Sequence, residues 1–295
     1  MRLGLTEDGP RNTFSASGLD HPPRWILKED SMSTVLQPEQ PILVREDLEG
    51  ITFLTMNRPQ QMNLLTGEML DALQSAFDTI ANDSNVRVVV LSGAGKAFCA
   101  GHDLKEIREL CEQPRIEQLF IKCSRMMMSI VHLPQPVIAR VQGAAAAAGC
   151  QLVAQCDLAV ASEAAKFATP GVTWGFFCST PGVAVGRNLQ RKHAMEMLLT
   201  GDLIDAKRAL EWGLVNRVVP AEQLDAEVER LARRIAEKPP ATVAAGKQAF
   251  YQQLDLSLER AYALVANVMA CSFAHEEGRE GMNAFIEKRK PNWKT

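Results

Sequence analysis

No stretch of this sequence is apolar for long enough to cross a bilayer, because its small-residue runs are broken by Gln, Asp and Glu. A formal charge of -3 gives no long-range attraction for nucleic acid or an anionic membrane. The seven cysteines (Cys99, Cys111, Cys123, Cys150, Cys156, Cys178 and Cys271) are odd in number and form no C-x-x-C pair. Such spacing suits reduced thiols in a cytosolic protein better than disulfides or a zinc site. The five histidines are too scattered to suggest a metal cluster. A phosphate loop is also missing: Gly95-Lys96 is followed by Ala97, without the G-x-x-x-x-G-K-[ST] spacing. Near the start there is no apolar run for a secretory signal, and Glu7, Asp8, Asp20, Glu29 and Asp30 run against an Arg-rich, acid-poor transit peptide. A cytoplasmic location is therefore expected.

What is present begins at about Ile42. Residues 1–40 have Pro, Gly, Ser and charges without a period of 2 or 3.6, and read as an irregular extension. "ILVREDLEGITFLTMN" then reads as two strands turning at Glu49-Gly50. Met69, Leu70, Leu73, Phe77 and Ile80 recur at helical spacing, "VRVVVLSG" has the β-branched density of a buried strand, and "RIEQLFIKCSRMMMSIVHLP" is a long helix. Strands alternating with helices argue an α/β fold with parallel strands, and from about Asp205 the chain turns mostly helical.

Two turns stand out. "KAFCAGHDLKE" runs from an apolar segment through Ala100-Gly101-His102 into a helix that Asp103 can cap. "PVIARVQGAAAAAGCQLVAQCD" runs from a strand through five alanines, Ala144–Ala148, into another helix. Alone, each is equally an ordinary helix start, and alanines are common helix filler. Together they are a candidate pair: one backbone N–H from each could converge on a single carbonyl oxygen, which is the construction of an oxyanion hole.

These segments, with "FLTMNRPQQMNLLTGEML", "LLTGDLIDAKRALEWGLVNRVV" and "EGMNAFIEKRKPNW", resemble the enoyl-CoA hydratase/isomerase (crotonase) superfamily, collinearly from Ile42 to Trp293. "AAGCQLVAQCDLAVAS" and the segment from Phe167 to Val185 point to one branch of it. The resemblance implies a spiral of β-β-α turns over residues 41–235 and a helical region over 236–295 that builds a homotrimer or hexamer. It implies an acyl-CoA thioester as ligand, with coenzyme A belonging to the substrate and no separate cofactor. The oxyanion donors would be the N–H groups of His102 and Ala148. Met62, Leu64, Asp103, Leu104 and Lys105 would line the CoA, and Lys288 and Lys290 would face its phosphates, unless they belong to a solvated tail. An enoyl-CoA hydratase-like lyase of fatty acid or acyl-CoA metabolism is the implied activity.

Where hydratases of this superfamily carry two glutamates, this chain has Gln151 and Gly171. Neither supplies a base, and losing positioned acid–base catalysis costs about two to four orders of magnitude per group. His102 is either a hydrogen-bonding or basic imidazole beside the thioester, as in "AGHD"-bearing decarboxylases of the superfamily, or only an N–H donor. Cys178 is expected to line the pocket. A decarboxylase of the methylmalonyl-CoA type and a non-catalytic acyl-CoA-binding protein stay open beside the lyase.

Overall fold

The structure, a computed structural model, describes residues 40–293. The expected irregular extension falls, but for Gln40, outside the described residues. β1 (Leu43–Leu48) and β2 (Ile51–Met56) form an antiparallel hairpin in which Leu48 opposes Ile51. Its two turn residues, Glu49 (φ 50°) and Gly50 (φ 80°), are both left-handed, the conformation a two-residue hairpin needs to match strand twist. α1 (Gly67–Ile80) follows, capped by the Thr66 hydroxyl, which accepts from the Met69 N–H at 3.2 Å. Its expected apolar stripe (Met69, Leu70, Leu73, Phe77, Ile80) is fully buried.

A β-β-α unit then repeats. β3 (Val88–Gly93) and β4 (Ala97–Cys99) lead to α2 (Leu104–Leu110) and α3 (Gln113–His132). β5 (Val137–Val141) and β6 (Ala144–Ala146) lead to α4 (Ala148–Gln155). β7 (Leu158–Ser162) and β8 (Lys166–Ala168) lead through a 3-10 turn, Pro170–Trp174, to α5 (Ser179–Asn188) and α6 (Arg191–Thr200). The short β9 (Ile204–Asp205), α7 (Ala206–Trp212), β10 (Arg217–Val219) and α8 (Leu224–Ala236) close the sequence of turns. Each unit places one strand in a large sheet of order β1-β2-β3-β5-β7-β10 and one in a smaller sheet of order β4-β6-β8-β9. Successive strands of the large sheet from β2 onward are parallel, which makes the path a spiral.

All six residues of β3 are buried, so the strand shows no alternation. One face of the large sheet packs on α8, through Ile51, Val88, Val90, Ile138, Leu224 and Val228; the main core lies on the other. Ala144–Ala146 is not filler or turn but strand. Ala145 pairs with Cys99 on one side and Phe167 on the other, and this pairing overrides alanine's helical preference.

α9 (Pro240–Leu254), α10 (Leu258–Ala274) and α11 (Glu276–Ile286) form the helical end of the chain. A polar network joins α9 to the core. Lys247 Nζ donates to Asp157 Oδ2 (2.7 Å) and to the carbonyls of Ile130 (2.8 Å) and Gln135 (3.0 Å). Asp157 also accepts from Tyr251 Oη at 2.8 Å and from the Val137 N–H at 2.7 Å. Every polar atom of this group has work within the fold. Of the apolar residues that mark α10 in the sequence, Tyr262, Met269 and Phe273 are exposed in the single chain, as are Phe285 and Ile286 of α11.

Candidate oxyanion site

β4 and β6 are neighbours in the small sheet, so the turns that leave them stand side by side. Gly101 is left-handed (φ +97°), and a Cβ there would lie 3.0 Å from the Ala146 carbonyl oxygen, 3.0 Å from Ala147 Cβ and 3.1 Å from the Ala148 nitrogen. That approach requires glycine. Ala147 has φ 50° and ψ -118°, a backbone alanine rarely adopts, and its N–H is held by the Ala168 carbonyl at 2.9 Å. This bend starts α4 at Ala148, and no side chain caps the helix. A helix N-terminus so left offers N–H groups and the positive end of a dipole to a developing negative charge. Gly149 sits directly against the Cys99 carbonyl oxygen, locking α4 onto β4.

The first turn is moulded by residues 62–65. The Ala100 N–H donates to the Met62 carbonyl (3.1 Å) and the Leu65 N–H to the Gly101 carbonyl (2.8 Å). His102 Nδ1 lies 3.0 Å from the Leu65 carbonyl oxygen, which only accepts; Nδ1 therefore carries the proton in the neutral ring. Nε2 is then a bare lone pair, buried and without a hydrogen-bond partner. The ring packs edge to face with Phe120, their centroids 5.2 Å apart. Burial holds the imidazole below its ordinary pKa, only partly offset by the Leu65 carbonyl, so it is neutral at pH 7.

Gln151 lies in the first turn of α4, its N–H bonded to the Ala147 carbonyl at 3.0 Å, and its buried Oε1 has no partner. Gly171 is in the 3-10 turn, where a Cβ would stand 2.6 Å from the Phe176 carbonyl oxygen and 2.8 Å from Cys178 Sγ. Its N–H donates to that sulfur at 3.3 Å. The space a longer side chain would need is thus filled by the loop and by Cys178. Burial pushes the Cys178 thiol up, with the Gly171 N–H opposing, so the thiolate a nucleophile needs is disfavoured.

The remaining expected residues fall in two groups. Met62 and Leu104 are exposed, Leu64 is half-buried, and Asp103 caps α2 by accepting from the Lys105 N–H at 2.8 Å. These flank the first turn. Lys288 and Lys290 do not: they follow α11, which packs on α9 and α10. Between them Arg289 is tied to Glu280 and Glu287. Sequence reading did not single out Asn63, Leu65, Phe120 and Gln142: Leu65 and Phe120 meet the first turn, and Asn63 and Gln142 bond the β3–β4 loop ahead of it. Of these only Asn63 left a trace, as a residue type tolerant of left-handed backbone just before "LL" (φ 53°).

With this geometry in view, the comparisons with known proteins carry specific weight. The family model described as enoyl-CoA hydratase/isomerase matches residues 46–295. The human protein named enoyl-CoA hydratase domain-containing protein 3, mitochondrial, is 47% identical over 246 residues, covering 83% of this chain and 81% of its own. The crystal structure of that human protein matches with TM-score 0.83 at 45% identity, over 86% of this chain and 100% of that one. An enoyl-CoA hydratase structure from Mycobacterium smegmatis matches with TM-score 0.85 at 52% identity, over 87% of this chain and 100% of its own. The expected crotonase-type spiral is thereby established, as is the branch its motifs pointed to.

One expectation is corrected. The relatives from Xenopus laevis, Mus musculus and Homo sapiens are all named as mitochondrial, which points away from the cytoplasm. Acidic residues near the start argue only against one kind of leader, and a net charge or a set of reduced thiols does not separate the two compartments. Family model, relatives and folds agree over most of the chain: it belongs to the enoyl-CoA hydratase/isomerase family.

Proposed function

We propose that the chain binds an acyl-CoA thioester with its carbonyl oxygen between the N–H groups of His102 and Ala148, and stabilises the enolate formed there as a hydratase-like lyase. The observation that carries this reading is the contact of the two turns, with the Gly101 Cβ position 3.1 Å from the Ala148 nitrogen. Preorganised donors of this kind lower the barrier because they need no reorganisation as charge develops. Coenzyme A enters as part of the substrate, along Met62, Leu64, Asp103, Leu104 and Lys105. Lys288 and Lys290 are proposed to reach the CoA phosphates of a neighbouring copy in a homotrimer or hexamer. The apolar residues exposed on α10 and α11 would be covered in that assembly.

A second reading is favoured by the absence of a carboxylate at both 151 and 171. In decarboxylation the bond between the α-carbon and the substrate carboxylate breaks and its electron pair enters the thioester as enolate. CO2 departs, and water returns a proton to the α-carbon. No base is needed to start this, which suits neutral Gln151 and Gly171. A third reading, a binder without turnover, rests on the same missing groups.

A panel of CoA esters, including crotonyl-CoA and methylmalonyl-CoA, separates the three. Turnover of either class identifies the enzyme, and saturable binding without turnover identifies the binder. No saturable binding of any ester would overturn the proposal. Light scattering that gave a monomer mass at micromolar concentration would remove the assembly and the role of Lys288 and Lys290.

A further inference from the structure

Two side-chain amides, that of the buried Asn63 and that of the half-buried Gln142, converge on the loop that sets the first donor, and the chemistry proposed above makes no use of either. The loop joins β3 to β4 and turns its carbonyls inward, where they need donors. Asn63 Nδ2 lies 2.9 Å from the Ala94 oxygen, 2.9 Å from that of Ala97 and 3.2 Å from that of Phe98. Gln142 Nε2 reaches the same loop from the opposite side, at the carbonyls of Gly93, Gly95 and Ala97, the last at 2.9 Å. The Ala97 oxygen is shared by both amides.

Each amide also belongs to the chain segment of a donor turn. Asn63 is fully buried, and its Oδ1 accepts from the Arg58 N–H at 3.0 Å. Its neighbours Met62 and Leu65 make the backbone bonds that shape Ala100-Gly101. Gln142 directly precedes Gly143 and β6, the strand that leads through Ala147 to the second donor, and its carbonyl accepts from Ser162 Oγ at 2.9 Å. There is no slack for another arrangement, since a Cβ at Gly93 would stand 2.6 Å from Asn63 Nδ2.

We infer that Asn63 and Gln142 are positioning residues that fix the separation of the His102 and Ala148 donors by clamping the β3–β4 loop between them. This rests on the acyl-CoA reading above. Losing either amide takes a donor from the carbonyls of this loop and lets β4 shift against β6, and a shift of about 1 Å is enough to spoil a two-donor site.

The test uses the full chain with two probes: butyryl-CoA, and S-butyl-CoA, a thioether that keeps the coenzyme and chain but lacks the carbonyl. Binding is measured by calorimetry, and the thioester carbonyl stretch by infrared difference spectroscopy. The parent protein should prefer the thioester and shift its stretch to lower frequency. Asn63→Gly, which tolerates the left-handed backbone, and Gln142→Met should each lose about tenfold of that preference while S-butyl-CoA affinity changes less than about twofold. The stretch should return toward its free value. Equal weakening of both probes, or an unchanged preference and stretch in a folded variant, would overturn the inference. A parent with no preference and no shift would instead remove the acyl-thioester reading, and the inference with it. Where Asn63→Gly fails to fold, Gln142→Met decides alone, since it acts on the same loop from the other side.

Discussion

Rebuilding a two-glutamate site in this chain is an attractive experiment, and the structure says that its two halves differ in kind. Gln151→Glu places a carboxylate in the uncapped first turn of α4, where the helix dipole favours it and only the amide NH2 is exchanged for oxygen, next to an Oε1 that has no hydrogen-bond partner. Gly171→Glu has no such room. Even the Cβ would lie 2.6 Å from the Phe176 carbonyl oxygen, 2.8 Å from Cys178 Sγ and 2.9 Å from Phe176 Cδ2. The loop cannot easily yield, because the Phe176 N–H is bonded to the Gly171 carbonyl at 3.2 Å and the Gly171 N–H to Cys178 Sγ. Overpacking of this kind costs about 1–3 kcal/mol. Gly171→Ala should therefore lose about that much in urea unfolding, and adding Cys178→Ala should return part of it by removing the sulfur. Hydration of crotonyl-CoA, followed by loss of absorbance of the conjugated thioester, should rise in Gln151→Glu. The double variant Gln151→Glu with Gly171→Glu, which restores a glutamate at both positions, should not exceed it. Gly171→Ala with parental stability, or a double variant that is both stable and faster than Gln151→Glu, would refute the steric argument.

Lys247→Met should destabilise the chain by about 3–5 kcal/mol in urea, because it leaves Asp157 buried without its cation and two carbonyls without a donor; a loss below about 1 kcal/mol would contradict the network's role. Replacing Asp157 and Lys247 together by Asn and Met should cost less than the sum of the single changes. Thr66→Ala should cost about 1 kcal/mol by removing the cap of α1, measured the same way. Glu227 is held at about 2, below its ordinary 4.5, first by the Arg230 hydrogen bond and then by Arg217. A lowered carboxylate pKa stabilises the fold above its unfolded value and loses that contribution as pH falls through the folded one. Acid sensitivity between about pH 4.5 and 2 should therefore be smaller in Glu227→Gln, and an unchanged acid titration would count against the pair.

The sequence by itself determined the order of the large-sheet strands and the main helices, because apolar periodicity is a local property. The five apolar residues of α1, the Glu49-Gly50 hairpin turn and the Asp103 cap all stand where their residue types put them. It also exposed the two small-residue turns before α2 and α4 as a pair, and their resemblance to a known superfamily. Only the tertiary structure decided that Ala144–Ala146 is a strand, since that follows from Cys99 and Phe167 on either side and not from alanine's own preference. Only it showed that Gly171 is walled in by Phe176 and Cys178, and that the lone pair of His102 is set by the Leu65 carbonyl. The convergence of Asn63 and Gln142 on one loop was illegible for the same reason. They are separated by most of two β-β-α turns and meet at one loop, and hydrogen bonds between a side chain and a distant backbone leave no period or spacing to read.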